Sequence, residues 1–208
     1  MLRRGKNPAR ERVLVWDEEA VFKTLESVSS PRRLLFPLFC AGRLRWALTT
    51  AGAERQAFDR VVEEVGAYID TGELDEEGIE QAGLACGRLS GEGDAELAVR
   101  LALESASYCA ELAGRWSGGA LLNACRPHLD LVVELAGTQL VRELELPPVA
   151  RVDDFQEFVE STPGFRGELT LRRRCLDIVA AADVSNSEAR GGVTELVEET
   201  PIPETFNR

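Results

Sequence analysis

Histidine is almost missing from this chain: His128 is the only one in 208 residues. A metal site built on imidazoles therefore cannot form, and HExxH or ExxH motifs are absent. No GxSxG accompanies His128, so a hydrolase triad has no nucleophile elbow to serve. There is no CxxC. The five cysteines, Cys40, Cys86, Cys109, Cys125 and Cys175, are odd in number and widely spaced. Cys40, Cys86 and Cys109 sit among apolar or small residues, as buried free thiols do. Disulfides are not expected, and a reducing cytoplasm is. No P-loop appears, and no GxGxxG follows a strand; "GEGD" and "SGG" are loop signals.

Long apolar runs are lacking too. The most conspicuous, "LLFPLFCA" from Leu34 to Ala41, carries a proline and is far below the ~20 residues of a membrane span. The basic start "MLRRGKNPARER" has no apolar segment behind it and does not read as a secretory signal. Strict alternation of apolar and polar residues is absent, and "VTELVEE" is the single weak strand candidate. Positive charge is in short supply: 24 Lys and Arg face 36 Asp and Glu, for a net charge of −12 and a pI near 4.7. Phosphate backbones and anionic membranes would repel such a surface, whereas a basic protein would be attracted.

What is present is helical periodicity. Asp17 can cap a first helix, "DEEAVFKTLESV", with Val21, Phe22, Leu25 and Val28 on one side. Ser30-Pro31 opens a second, in which Pro37 should kink the helix or delay its regular start. Its broad apolar face points to a bent, central helix. A third, from Ala53 to Ile69, repeats Ala57, Phe58, Val61, Val62, Val65 and Tyr68 at steps of three and four. Gly72 fits a left-handed cap. A fourth spans Asp75 to Leu89, and Asp94 is placed to cap a fifth. In the fifth, Ala95, Ala98, Ala102, Ala106, Ala110 and Ala113 form a narrow stripe that would let two helix axes approach closely. Ser117 or Gly118 breaks the chain, and Pro127 should bend or restart the next helix. "ELPPVARVDD" marks an internal boundary, followed by helices at 154–162 and about 167–182. The expected fold is mainly α, an irregular bundle of about seven to nine helices. It divides into a flexible basic leader (1–14), a bundle (15–146), a C-terminal helical pair packed on it (147–183) and an acidic tail (184–208), either disordered or laid over the domain.

Chemistry is harder to find. Cys125 and His128 lie three apart and could share a helix face, which makes an enzyme using them the third functional reading. Proline interrupts their geometry and no further ligands are evident, so His128 reads as a helix-end residue and no catalytic, metal or cofactor site is expected. Arg32, Arg33, Arg43, Arg45 and Arg172, Arg173, Arg174 reverse the local sign. They could hold an anionic ligand, but pairing with the chain's own acids is the simpler reading. The densest charge lies between Glu54 and Glu80. Glu63, Glu64, Asp70, Glu73, Asp75, Glu76, Glu77 and Glu80 would coat the outer face of two helices and their connecting loop, a surface suited to steering a basic partner.

The order "LLFPLFCAGRLRWAL", "ERQAFDRVVEEVGAYIDTGELDEEGIEQAG", "GDAELAVRLALESASYCAELAG" resembles small all-helical bacterial immunity proteins of polymorphic-toxin systems. Ala57, Tyr68 and Gly72 fill the roles of that family's A…W/Y…G segment, and the resemblance covers residues 34 to 114. It implies a cytoplasmic, non-enzymatic protein that neutralises a cognate toxin by stoichiometric binding. The alternative is a helical scaffold or regulatory subunit of a bacterial assembly, docking through "VTELVEETPIPETFNR".

Overall fold

The computed structural model describes residues 18–48, 52–91, 96–144 and 162–199. The basic leader, the Asp17 and Asp94 caps, the boundary at 145–154, the helix expected at 154–162 up to residue 161, and the chain after 199 lie outside the described residues. Among the described residues there are eight α-helices and no strand. They are α1 (Glu18–Glu26), α2 (Leu35–Arg43), α3 (Ala53–Thr71), α4 (Glu76–Gly91), α5 (Leu97–Gly114), α6 (Gly118–Leu144), α7 (Pro163–Ala180) and α8 (Asn186–Glu198). The mainly α bundle expected from the periodicity is thus the observed fold.

The proline of the opening apolar run delays the helix. A 3-10 turn, Arg32–Leu34, leads into α2, which begins at Leu35. Pro37 then falls in the first turn, where its missing N–H has no partner to lose. Leu35, Phe36, Phe39, Cys40 and Ala41 are all buried, and α2 contacts α5, α6, α7 and α8. It is the central helix of the bundle.

The most extensive helix pairing is α4 with α5, followed by α5 with α6. Small residues set the first. A methyl group on Gly83 of α4 would come within 2.8 Å of the Ala110 Cβ of α5. Ala102, Ala106, Ala110 and Ala113 are buried along the stripe. Close approach follows directly from the missing side chains. Helix α3 ends at Gly72, whose φ of 75° is left-handed and whose N–H donates to the Tyr68 carbonyl at 2.9 Å. Helix α6 runs unbroken through Pro127. The neighbouring carbonyls of Ala124 and Cys125 accept from Ser105 Oγ at 2.5 Å and Arg172 Nη1 at 3.1 Å.

The C-terminal region departs from the sequence expectation. Helix α7 starts at Pro163 rather than near 167, because Thr162 Oγ1 accepts from the Phe165 N–H and proline occupies the first position. Residues 186–198, assigned to an acidic tail, form α8, and "VTELVEE" is helical rather than extended. Ser185 and Glu188 make a reciprocal capping box at its start. Ala189, Val193 and Leu196 are buried at steps of four and three, so α8 contributes to the core.

Candidate functional site

Two regions concentrate chemistry: a charged cluster in the interior and the acidic surface of α3 and α4. In the interior, Arg43 of α2, His128 of α6, and Glu168 and Arg172 of α7 meet. Their exposures are 2 %, 0 %, 1 % and 0 %. Glu168 and Arg172 stand four apart, one helical turn, and so point from α7 to the same side. Arg43 donates to Glu168 with Nε at 3.1 Å and also with Nη2, a two-point pair. Its Nη1 donates to the carbonyls of Val197 at 3.1 Å and Glu199 at 2.6 Å, closing the C-terminus of α8.

His128 fixes its own tautomer through its neighbours. Arg172 Nη1 lies 3.1 Å from Nδ1, and a guanidinium can only donate, so Nδ1 accepts. Nε2 therefore carries the hydrogen and donates it to Glu168 Oε2, 3.1 Å away. Burial pushes the Glu168 carboxyl up, but the hydrogen bonds from His128 and Arg43 and the charge of Arg43 outweigh it and hold the group below its ordinary value. Phe39 meets the imidazole edge-on with centroids 6.0 Å apart, and the Arg172 guanidinium lies 5.6 Å from the Phe36 ring centre.

Cys40 and Cys125 border this cluster. Burial raises the Cys40 thiol, yet the hydrogen bond with Cys125, the Arg172 charge and His128 together bring it well below the usual thiol range. Cys125 is raised by burial and by Cys40. Expected at a helix end from the neighbouring proline, His128 lies inside α6 and wholly out of solvent. In this arrangement both ring nitrogens have partners within the cluster, Arg172 at Nδ1 and Glu168 at Nε2. Among the described residues, no three of His, Cys, Asp and Glu are grouped to hold a metal.

The arginine clusters divide between inside and outside. Arg32, only 7 % exposed, donates to the carbonyls of Ile178 at 2.9 Å and Val184, tying the end of α7 and the segment before α8 to the 3-10 turn that leads into α2. Arg33 lies over Trp116 at 4.1 Å from the ring centre. Arg45 pairs with Asp59 and Arg174 with Glu199 at the surface. The two clusters thus spend much of their charge on carbonyls and carboxylates of this chain.

The eight acids expected to meet a partner are exposed, apart from Glu64, which is half-buried. Three have internal duties. Asp70 pairs with Arg190 of α8, Glu64 lies 3.9 Å from Arg60, and Asp75 Oδ1 accepts the Gly78 N–H to cap α4. Glu77 accepts a hydrogen bond from Gln81. Glu63, Glu73, Glu76, Glu77 and Glu80 make no ion pair with any described residue. They do not all border one hollow. Glu63 edges a cavity of about 270 Å³ between α2, α3 and α8, whereas Glu76 and Glu80 edge a furrow of about 500 Å³ between α4 and α5.

No helix among the described residues is long and apolar enough to cross a membrane. No protein-family model, curated protein or solved structure matches the chain.

Proposed function

We propose that this protein is a non-enzymatic binding module, an immunity-type inhibitor that captures a basic protein, a toxin in the most concrete form, through the acidic surface of α3 and α4. The observation that carries the reading is the set of five carboxylates without an ion pair, Glu63, Glu73, Glu76, Glu77 and Glu80, beside Glu64, Asp70 and Asp75, which lie near an arginine or cap a helix. Such charges cost the folded state through mutual repulsion, and a cationic partner relieves it. The one imidazole supports the same reading from the other side, because its hydrogen bonds are consumed by the interior.

Docking through the C-terminal segment is less favoured by the packing. Part of that segment is α8, and freeing it would expose Ala189, Val193 and Leu196 and remove the carbonyl partners of Arg43. A deletion of 184–208 would therefore damage the fold before it tested a docking peptide.

The test is rescue. Cells expressing a toxic, basic polypeptide encoded beside this chain should grow when the wild-type protein is co-produced. Rescue should fail when Glu73, Glu76, Glu77 and Glu80 are all changed to lysine, with the variant still folded by circular dichroism. Undiminished rescue by that variant would defeat the reading.

A further inference from the structure

The furrow between α4 and α5 has features that the surrounding acidic surface does not explain. The helices meet in it at Gly83 and Ala110, where side chains are nearly absent. Leu84 stands beside that seam and is 59 % exposed, the most exposed large apolar residue described. Glu76, Glu80 and Leu84 follow one another at steps of four and so form one ridge along α4, about 12 Å long at the helical rise. Glu111 stands on the α5 wall, and Arg115 is the one basic residue that lines the furrow. An apolar contact point flanked by three carboxylates is thus laid along a groove between two helices.

We propose that this furrow docks a cationic amphipathic helix of the partner. The helix would set an apolar residue against Leu84 and turn lysines or arginines toward Glu76, Glu80 and Glu111. A helix fits because a ridge of side chains seats between two parallel rows on its neighbours, and because its apolar and charged residues recur at the same three- and four-residue steps as the furrow's own. The sign of the partner follows from three carboxylates against one guanidinium. The inference rests on the acidic-surface reading above and narrows it to one groove and one kind of ligand.

A synthetic 18-residue helical peptide of leucine and lysine, with leucines at steps of three and four, is the probe. Its binding to the full-length protein is followed by fluorescence anisotropy at low salt, beside a peptide of the same composition in scrambled order. The patterned peptide should bind at least ten-fold more tightly than the scrambled one. Leu84→Ser, at an exposed position, should weaken it about ten-fold without changing the melting temperature, and Glu80→Lys with Glu111→Lys should do the same. Equal affinity for both peptides, or for wild type and Leu84→Ser, would overturn the furrow as the site. Loss of binding only on reversal of Glu63, Glu73 and Glu77 would overturn the furrow while leaving the acidic-surface reading intact. Indifference to every reversal would overturn both. A doubling of mass by light scattering that Leu84→Ser abolishes would make the occupant a second copy of this chain and refute the partner-helix proposal.

Discussion

Arg43 and Glu168, 125 positions apart in the sequence, form a two-point ion pair in the interior with each side chain 1 % exposed. The pair joins α2 to α7. Because Arg43 also holds the last carbonyls of α8, and Glu168 also holds His128 of α6, one contact organises four helices. Removing one member of such a pair strands the other charge without solvent. Glu168→Gln should therefore lower unfolding free energy by about 3–5 kcal/mol. Denaturant melts of the variant and wild type, compared at equal slope, measure it. A change below about 1 kcal/mol would mean that the interior pair is dispensable.

The same carboxylate sets an acid limit. Its folded value is depressed relative to the ordinary 4.5, so the folded state binds the proton less readily than the unfolded chain. The stabilisation is complete above that ordinary value and is lost as pH falls through the folded value. The stability difference between wild type and Glu168→Gln should shrink as pH is lowered from 6 toward 3, because acidification removes in the wild type what the substitution has already removed. A pH series of thermal melts checks this; a constant difference would contradict it.

All five thiols are buried. Burial pushes Cys86 up to about 12, and Cys109 and Cys175 are raised as well. Cys40 is held below the usual thiol range but is wholly buried, so access and not thiolate fraction sets the rate, and the native protein should react with a disulfide reagent such as DTNB only as fast as it opens. In denaturant five equivalents should react at once. Prompt reaction of one thiol in the native state would show that a cysteine, Cys40 foremost, is reached without unfolding.

The α4–α5 seam should not accept volume. Gly83→Ala places a methyl group 2.8 Å from the Ala110 Cβ and should cost about 1–3 kcal/mol. Gly91→Ala, with no neighbour within 4 Å among the described residues, is the control and should leave stability unchanged or slightly higher. Thermal melts of both variants distinguish a packed seam from a loose one.

Much of the helical order was legible in the residues themselves. The three- and four-residue steps in α3, the alanine stripe of α5 and the Gly72 cap each act locally, so their signals survive in one dimension. Two further local signals mark helix starts that periodicity alone misplaces. Thr162-Pro163 is an N-cap followed by proline, and Ser185 with Glu188 is a capping box; they set the starts of α7 and α8. The interior cluster was not legible. Arg43, His128, Glu168 and Arg172 come from three helices, and nothing in the neighbourhood of any one of them indicates that it will be buried. Charge excess pointed to the stretch from Glu63 to Glu80, but only the packing shows which of its acids serve as caps or ion pairs and which border a groove.

The most direct measurement is the affinity of a basic partner, encoded beside this chain, for wild type and for the variant with Glu73, Glu76, Glu77 and Glu80 changed to lysine, titrated calorimetrically at two salt concentrations. The account predicts stoichiometric binding that weakens as salt rises, and at least a hundred-fold loss in the variant with its salt dependence largely gone. Equal affinity for the two proteins, with the same response to salt, would contradict it.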